Sequence, residues 1–228
     1  MAFGDEVRSA ASPGLAPLGI GGDASTIWHC DSGTDLIYEL SIVDFSVVRS
    51  ALGPTASPFG IGGDAAVIWH CVAGGIDLIY ELSLVDFSVV RFAASPDTNP
   101  SGIGGDNTTI WLCCLVSDRV FELSIVDFST VRNVPSPTAS ADGIGGSANR
   151  IWYCDRVQDK VYELSVVDFS VIRLAGSPST AARGIGGDFN TIWQCDPDAD
   201  KVYELDAAVP VVVAGTAGPM VGYLPLLV

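Results

Sequence analysis

Positive charge and histidine are both scarce in this chain. Its 228 residues include 11 Lys and Arg and 2 His against 27 Asp and Glu, for a net charge of −16. Because nucleic-acid phosphates and anionic lipid surfaces are bound chiefly by Lys and Arg, this balance argues against both partners. With only two His, acid–base catalysis has few side chains to use. An acidic surface is compatible with cation binding or with simple solubility.

A signal sequence and helical periodicity are also missing. Residues 1–13 lack a basic segment followed by an apolar core, so we expect no secretory signal and take the cytoplasm as the default localisation. No stretch shows the 3.6-residue spacing of an amphipathic helix, whereas Ile, Val, Trp and Tyr are frequent and Gly and Asp interrupt them regularly. The sequence therefore predicts an all-β protein.

What the chain does contain is one motif repeated five times. Gly-Ile-Gly-Gly begins at Gly19, Gly60, Gly102, Gly143 and Gly184, in steps of 41, 42, 41 and 41 residues. Ile-Trp-x-Cys and Tyr/Phe-Glu-Leu follow in every copy, and Val-Asp-Phe-Ser-x-x-Arg follows in four. A fixed period of about 40 residues is typical of repeat folds.

Turn signals divide each repeat into four short segments. In the first copy the predicted strands cover residues 19–23, 26–31, 36–41 and 46–51. Four antiparallel strands in about 41 residues make one β-propeller blade, whereas a two-helix solenoid unit of similar length is disfavoured by the composition. We predict one five-bladed propeller over residues 1–208, with blade cores starting near residues 19, 60, 102, 143 and 184, and an apolar tail at 209–228.

The repeat resembles a known group of propellers. Gly-Ile-Gly-Gly-Asp, Ile-Trp-x-Cys-Asp and Asp-Lys-Val-Tyr-Glu-Leu are similar to the blades of NHL-repeat, gluconolactonase-like and virginiamycin B lyase-like proteins, over residues 12–206. Many members of that group have six blades, and this chain has five blade cores. The gluconolactonase-like members bind a divalent metal at the axis, so the resemblance leaves room for a divalent cation in the axial channel here, although no ligand set is identified in this sequence.

A Glu in the third strand and an Arg ten residues later are predicted to pair across the outer hairpin. The four internal pairs are Glu39–Arg49, Glu81–Arg91, Glu122–Arg132 and Glu163–Arg173. The fifth Glu, Glu204, is followed at that distance by Ala214, and the matching Arg is Arg8 at the start of the chain. We therefore predict that residues 1–13 supply the fourth strand of the last blade, which pairs Arg8 with Glu204 and removes the open edge of the ring.

One Asp stands in the link between the second and third strands of every copy. These residues are Asp35, Asp77, Asp118, Asp159 and Asp200. An Asp in a turn accepts backbone hydrogen bonds, which by itself accounts for their recurrence. The links are expected to share one acidic face with the Ser- and Pro-rich connections between blades. These five aspartates are the candidate ligand-binding residues, for a small molecule, a glycan or a protein.

The cysteines and histidines are interpreted as structural. Five of the six Cys occupy one repeat position, where neighbouring copies should be ~10 Å apart, too far for a disulfide, which needs Cα atoms within about 7 Å. They are expected to be buried between blades. His29 and His70 occupy the variable position of Ile-Trp-x-Cys, on the opposite strand face. No catalytic residue and no metal-ligand set is predicted.

The C-terminal segment carries no charge over 22 residues, Ala207 to Val228. That is long enough to cross a bilayer, but Pro and Gly interrupt it and no Lys or Arg flanks it. Packing on the propeller, an added strand or self-association is expected instead. Taken together, the sequence predicts a non-catalytic repeat scaffold or multivalent binding module built by blade amplification. The alternative is a metal-dependent enzyme of the gluconolactonase or lyase kind.

Overall fold

The computed structural model describes residues 1–208, which form twenty strands and no helix. The strands are β1 (Glu6–Ala11), β2 (Pro17–Gly22), β3 (Ile27–Asp31), β4 (Leu36–Leu40), β5 (Val47–Leu52), β6 (Pro58–Gly63), β7 (Ile68–Val72), β8 (Leu78–Leu82), β9 (Val89–Ala94), β10 (Pro100–Gly105), β11 (Ile110–Cys114), β12 (Arg119–Leu123), β13 (Thr130–Pro135), β14 (Gly143–Ser147), β15 (Arg150–Asp155), β16 (Lys160–Leu164), β17 (Val171–Gly176), β18 (Gly184–Gly187), β19 (Thr191–Asp196) and β20 (Lys201–Asp206). Within this part of the chain, no helix is long and apolar enough to cross a membrane.

Each copy of the repeat forms one antiparallel sheet of four strands, and the five sheets are the blades of a propeller. Blade 1 is β2–β5, blade 2 is β6–β9, blade 3 is β10–β13, and blade 4 is β14–β17. Blade 5 has the order β1-β20-β19-β18, so its outermost strand comes from the start of the chain. The prediction of an all-β, five-bladed propeller closed by its N-terminal strand is confirmed.

Neighbouring blades are held together by the residues that recur most faithfully. In blade 1, Trp28 and Cys30 pack in one buried cluster with Ile61 and Tyr80 of blade 2. The indole Nε1 of Trp28 also donates a hydrogen bond to the backbone oxygen of Asp64 in blade 2, at 3.3 Å. Four further clusters of the same composition lie at the other blade interfaces. The core is therefore a ring of inter-blade layers, which explains the high apolar content of the repeat.

The ring closes in the predicted register. In the β1–β20 ladder Arg8 lies opposite Glu204, as Arg49 lies opposite Glu39 in blade 1. The two termini of the described chain meet inside the turn between the third and fourth strands of blade 5. Pairing β1 with β20 leaves blade 5 with the same number of strands as the other blades and covers its outer edge.

The backbone hydrogen bond of that turn is also formed in blade 5, although the two strands that flank it come from opposite ends of the described chain. In blade 1 the amide of Phe45 donates to the carbonyl of Ser41 at 2.9 Å, and in blade 5 the amide of Gly4 donates to the carbonyl of Asp206 at 2.9 Å. Both donors have a left-handed backbone, with φ of 61° for Phe45 and 83° for Gly4. The closing segment therefore reproduces the turn and places a glycine at its strained position.

The aromatic ring that the fifth copy lacks is supplied by Phe3. In blade 2 the ring of Phe87 packs edge-on against Trp28 with centroids 5.8 Å apart. At the interface between blades 4 and 5, Phe3 instead stacks on Trp152 at 6.0 Å and lies 4.1 Å from the guanidinium carbon of Arg173. Sequence comparison missed this role because Phe3 is one residue out of register with the repeat. The apolar tail at 209–228, with its predicted packing or self-association, lies outside the described residues.

Candidate binding sites at the blade interfaces and the axis

Each Glu–Arg pair also reaches the next blade. Arg49 Nε donates to Glu39 Oε2 at 2.5 Å within blade 1. Its Nη2 donates to the carbonyl of Leu84 at 2.5 Å, its Nη1 donates to the carbonyl of Val85, and its guanidinium carbon lies 4.4 Å from the ring centroid of Phe87. The sequence predicts only the cross-strand pair. The two carbonyls belong to blade 2, so the Arg also stabilises the contact between neighbouring blades.

The equivalent pairs have the same geometry. The Nε–Oε2 distance is 2.5 Å for Arg91–Glu81, Arg132–Glu122, Arg173–Glu163 and Arg8–Glu204. Beside one of these pairs lies an open groove of about 180 Å³ between blades 2 and 3. The groove is lined by Ala66, Val67, Trp69, Glu81, Arg91, Asn107 and Ile125, and we refer to it as the 2–3 groove.

The same place between blades 4 and 5 is filled by an arginine. Arg150 occupies the repeat position of Val67, and only 6% of its surface is exposed. Its Nη1 donates to the carbonyl of Ala207 at 3.0 Å, and its Nε lies 3.4 Å from Glu163 Oε1. The guanidinium carbon is 4.1 Å from the ring centroid of Phe189. A guanidinium is therefore held by a carboxylate, a carbonyl and an aromatic face.

The centre of the propeller axis is closed by the glycine-rich inner strands. A Cβ atom on Gly21 would lie 2.8 Å from the Cα atom of Gly62 in the next blade, closer than side chains tolerate. The adjoining space, lined by Gly19, Ile20 and their repeat equivalents, has no volume that a water molecule could occupy. The close backbone approach explains why Gly recurs at this position.

One end of the axis opens into a cavity of about 240 Å³ rimmed by carboxylates. Asp23, Asp64, Asp106 and Asp188 follow the inner strands of four blades, and Ser147 stands in the fifth place. The sequence motifs alone did not single out these residues as candidates for binding. Their position directly after Gly-Ile-Gly-Gly is the signal that could have placed them at the mouth, because the inner strands surround the axis.

The rim carboxylates are engaged by backbone amides. Asp23 accepts the amide of Ala65 at 3.3 Å, and Asp106 accepts the amide of Ala148 at 2.9 Å, each from the following blade. Burial, with a smaller effect of the neighbouring carboxylates, raises the pKa of Asp64 above its usual value. Among residues 1–208, no group of three or more His, Cys, Asp or Glu side chains is arranged to hold a metal ion. The rim carboxylates also link neighbouring blades.

The predicted binding aspartates lie at the opposite end, in the links between second and third strands. All five have a left-handed backbone, with φ of 57°, 47°, 49°, 52° and 50° for Asp35, Asp77, Asp118, Asp159 and Asp200. The carbonyl of Asp35 accepts the amide of Gly53, which brings this link against the connection between blades. The structure therefore keeps the five residues apart, one in each blade, on the face that carries those connections.

Their carboxylates differ in how they are engaged. Asp35 Oδ1 accepts the amide of Ser57 at 2.9 Å, and Asp77 Oδ1 accepts the amide of Asn99 at 3.2 Å. In the other three blades the corresponding Oδ1 is buried and has no hydrogen-bond partner within the described part of the chain. Ligand binding by the five aspartates stays a prediction.

The same face carries a polar cluster that breaks the repeat symmetry. Asp142, only 3% exposed, accepts a hydrogen bond from Ser140 Oγ at 2.5 Å and forms an ion pair with Arg156 Nε at 2.9 Å. The corresponding residue of the next blade is Arg183. The pairing of Asp142 is not visible in the sequence, because its partner lies fourteen residues on in the next link of the same blade.

The two histidines are buried and neutral. Nδ1 of His29 donates to the carbonyl of Gly19 at 2.8 Å, and its Nε2 lies 3.1 Å from Ser12 Oγ. His70 makes the same bond to Gly60 at 2.8 Å, while its Nε2 has no partner within residues 1–208. Burial lowers the pKa of both imidazoles to about 4. Neither side chain is therefore a proton donor near neutral pH.

All six cysteines are free and buried, as the repeat spacing predicts. Burial raises the pKa of the Cys71 thiol well above its usual value, and the other Cys at this repeat position are raised for the same reason. A thiol that stays protonated is a poor nucleophile and a poor metal ligand.

The described fold and its interfaces define a five-bladed β-propeller with repeated inter-blade contacts. No family model and no curated protein matches the chain. Among solved structures, a glutaminyl cyclase from Myxococcus xanthus matches with a TM-score of 0.73 and 12% identity, over 89% of this chain and 96% of that one. Virginiamycin B lyase from Staphylococcus aureus matches with a TM-score of 0.52 and 19% identity, over 86% of this chain and 67% of that one.

These similarities concern the fold alone, because the identities are low. They confirm the blade-level resemblance to the lyase-like propellers that the repeat motifs indicate. Both similar proteins are enzymes by name, and propellers support many unrelated activities, so the fold leaves the function of this chain open.

Proposed function

We propose that the protein is a non-catalytic scaffold that acts as a multivalent binding module. The observation that supports this proposal is the repetition of one groove-forming set at the blade interfaces. Each set combines a Trp, a Glu and an Arg with backbone carbonyls of the next blade, and the 2–3 groove is open to a volume of about 180 Å³.

The valency follows from the repeat position that borders the 2–3 groove. It holds Thr26, Val67, Thr109 and Thr191 in four copies and Arg150 in the remaining copy. Because Arg150 fills its own interface, we expect four sites of similar affinity rather than five. The occupant is a small molecule, a glycan or a protein, and the five loop-face aspartates are the predicted additional contacts for a larger partner.

The indole groups provide a direct test of valency. Each of the five Trp Nε1 atoms donates to a backbone carbonyl of the next blade at 3.0 to 3.3 Å, so each indole N–H resonance reports on one interface. Titration of labelled protein with separate series of monosaccharides, short peptides and metal ions should find a ligand that shifts several indole resonances in parallel. Calorimetry with that ligand should give about four weak sites. A ligand that binds once and moves no indole signal would contradict the proposal.

The alternative is a metal-dependent enzyme of the gluconolactonase or lyase kind. Its support is the axial cavity of about 240 Å³ with four carboxylates on its rim, together with the enzymes among the similar structures. The rim acids accept backbone amides and form no ligand group, so no catalytic step through a metal follows from this arrangement. A stoichiometric metal in the purified protein, lost together with a lyase or lactonase activity in Asp23→Asn and Asp106→Asn, would favour the enzyme.

A further inference from the structure

The 2–3 groove and the 4–5 interface are built at the same repeat positions. Around Arg150 stand Trp152, Glu163, Phe189 and Ala207. The repeat counterparts of these four in the 2–3 groove are Trp69, Glu81, Asn107 and Ile125. The two places differ in whether a guanidinium occupies them and in the replacement of the Phe189 ring by Asn107.

The carboxylate is oriented alike in both places. In blade 4, Glu163 Oε2 accepts Arg173 Nε at 2.5 Å, and its second oxygen, Oε1, faces Arg150 at 3.4 Å. In blade 2, Glu81 Oε2 accepts Arg91 Nε at 2.5 Å. Glu81 Oε1 accepts no hydrogen bond within the described part of the chain. One carboxylate oxygen in the 2–3 groove thus lacks the cation that its counterpart has.

Two further parts of the recognition set, a carbonyl and an indole, are present in the groove as well. The carbonyl of Ile125 accepts Arg91 Nη2, as the carbonyl of Ala207 accepts Arg173 Nη2, and Ala207 accepts Arg150 through the same oxygen. A carbonyl oxygen has two lone pairs, so Ile125 can accept a second donor. Trp69 supplies an indole at the repeat position of Trp152, whose ring centroid lies 5.3 Å from the Arg150 guanidinium carbon in the filled interface.

We propose that the 2–3 groove binds an alkylguanidinium cation, such as the side chain of an arginine, in the manner in which the 4–5 interface holds Arg150. A planar guanidinium matches a carboxylate, a carbonyl and an aromatic face at once, which an ammonium does less well. The net charge of −16 favours a basic partner over long range. This inference rests on the proposed binding function and names the ligand class of its grooves.

The wild-type protein provides the first test. Labelled protein is titrated with Nα-acetyl-arginine-N-methylamide and, separately, with the citrulline analogue, which has the same shape and no charge. We expect the Trp69 indole resonance to shift with the arginine compound, and the citrulline compound to bind about tenfold more weakly because its hydrogen bonds are not charge-assisted. Equal affinities, or no shift of Trp69 with arginine, would overturn the inference.

Two variants make the test specific to the groove. Val67→Arg combined with Asn107→Phe copies the filled 4–5 interface, and it should abolish the arginine-dependent shift of Trp69. If this variant does not fold, Arg150→Ala tests the mode of recognition instead, because it opens the 4–5 interface. Propylguanidinium should then raise its melting temperature, and the neutral propylurea should not. Rescue by both compounds, or by neither, would contradict guanidinium recognition.

The remaining experiments distinguish a small-molecule ligand from a polypeptide ligand. They also distinguish failure of the guanidinium inference from failure of the proposed function. Agmatine represents a free small guanidinium, and a capped Gly-Arg-Gly peptide represents a polypeptide partner. Binding of agmatine alone assigns the groove to a small molecule, and binding of the peptide assigns it to a protein. If neither binds while another ligand shifts several indole signals, the guanidinium inference fails and the multivalent module stands. If the peptide shifts Trp69 alone, the inference stands and multivalency fails.

Discussion

Replacing Arg8 with Glu tests how the ring is closed. Arg8 Nε donates to Glu204 Oε2 at 2.5 Å, and its Nη atoms donate to the carbonyls of Ile42 and Val43 in blade 1. Its guanidinium carbon lies 4.5 Å from the ring centroid of Phe45. One side chain therefore joins the first strand of the chain to the last blade and to the first blade.

The magnitude follows from these contacts. A hydrogen bond that involves a charged group stabilises by about 1.5–3 kcal/mol when shielded from water. The Arg8 and Glu204 side chains remain 30% and 22% exposed, and solvent screening reduces the contribution. We expect Arg8→Glu to lower the free energy of unfolding by about 2–4 kcal/mol, with added repulsion from Glu204. For a domain of this size that is a decrease in melting temperature of about 4–16 °C.

The measurement is urea unfolding followed by tryptophan fluorescence, with calorimetry for the melting temperature. Arg91→Glu changes the same repeat position in an internal blade and should cost a similar amount. Val7→Glu changes a neighbour that is 40% exposed and should be nearly neutral. If Arg8→Glu behaved like Val7→Glu while Arg91→Glu was strongly destabilising, closure by the N-terminal strand would be refuted.

Three further outcomes are expected. Phe3→Ala should destabilise by about 1–3 kcal/mol, less than the roughly 3–5 kcal/mol of a buried Phe such as Phe128, because the partly buried Phe3 covers Trp152; a neutral result in urea unfolding would contradict its role. In the native protein all six buried thiols should resist Ellman's reagent at pH 8, and all should react after unfolding. The buried imidazole of His70 has a pKa of about 4, against about 6.5 in the unfolded chain. Its contribution to the free energy of unfolding should therefore be fully present above pH 6.5 and should fall by about 3 kcal/mol as the pH decreases to 4. Blade 3 has Leu112 at this repeat position. His70→Leu should therefore make the free energy of unfolding less dependent on pH across this range, and an unchanged pH dependence would contradict the assignment.

The sequence was sufficient for the blade and its closure because both depend on local patterns. The strands predicted for the first copy agree with β2–β5 to within two residues, since Gly and Asp mark the turns and apolar residues mark the buried faces. The partner of Glu204 could be found at Arg8 because a strict repeat makes a missing residue visible. These inferences need only the period and the pairing rules of an antiparallel hairpin.

Contacts between blades could not be predicted in the same way. The Nη groups of Arg49 reach Leu84 and Val85 only because the twist of one blade brings its outer strand over the turn of the next. The cavity of the 2–3 groove and the closed axis depend on the same inter-blade geometry. Arg150 was not singled out from the sequence because its partner Ala207 is 57 residues away and belongs to another copy.

Arg150 also sets a limit on the guanidinium proposal. An arginine attached to the chain binds its groove without the entropic cost of association, so its stabilising effect exceeds that of any free alkylguanidinium in an equivalent groove. Arg150→Thr substitutes the residue that three other blades have at this position. We expect this change to cost about 1–3 kcal/mol, the balance of charged hydrogen bonds and cation–π contact against the desolvation of a buried guanidinium.

Urea unfolding of Arg150→Thr therefore decides whether the intermolecular experiment can succeed. The matched control is Thr109→Val, which exchanges the residue of blade 3 for that of blade 2 and should be nearly neutral. If Arg150→Thr were as stable as the wild type, desolvation would cancel the attraction even for a tethered guanidinium. A free arginine would then have no net affinity for the 2–3 groove, because it meets a more open site and loses translational freedom as well.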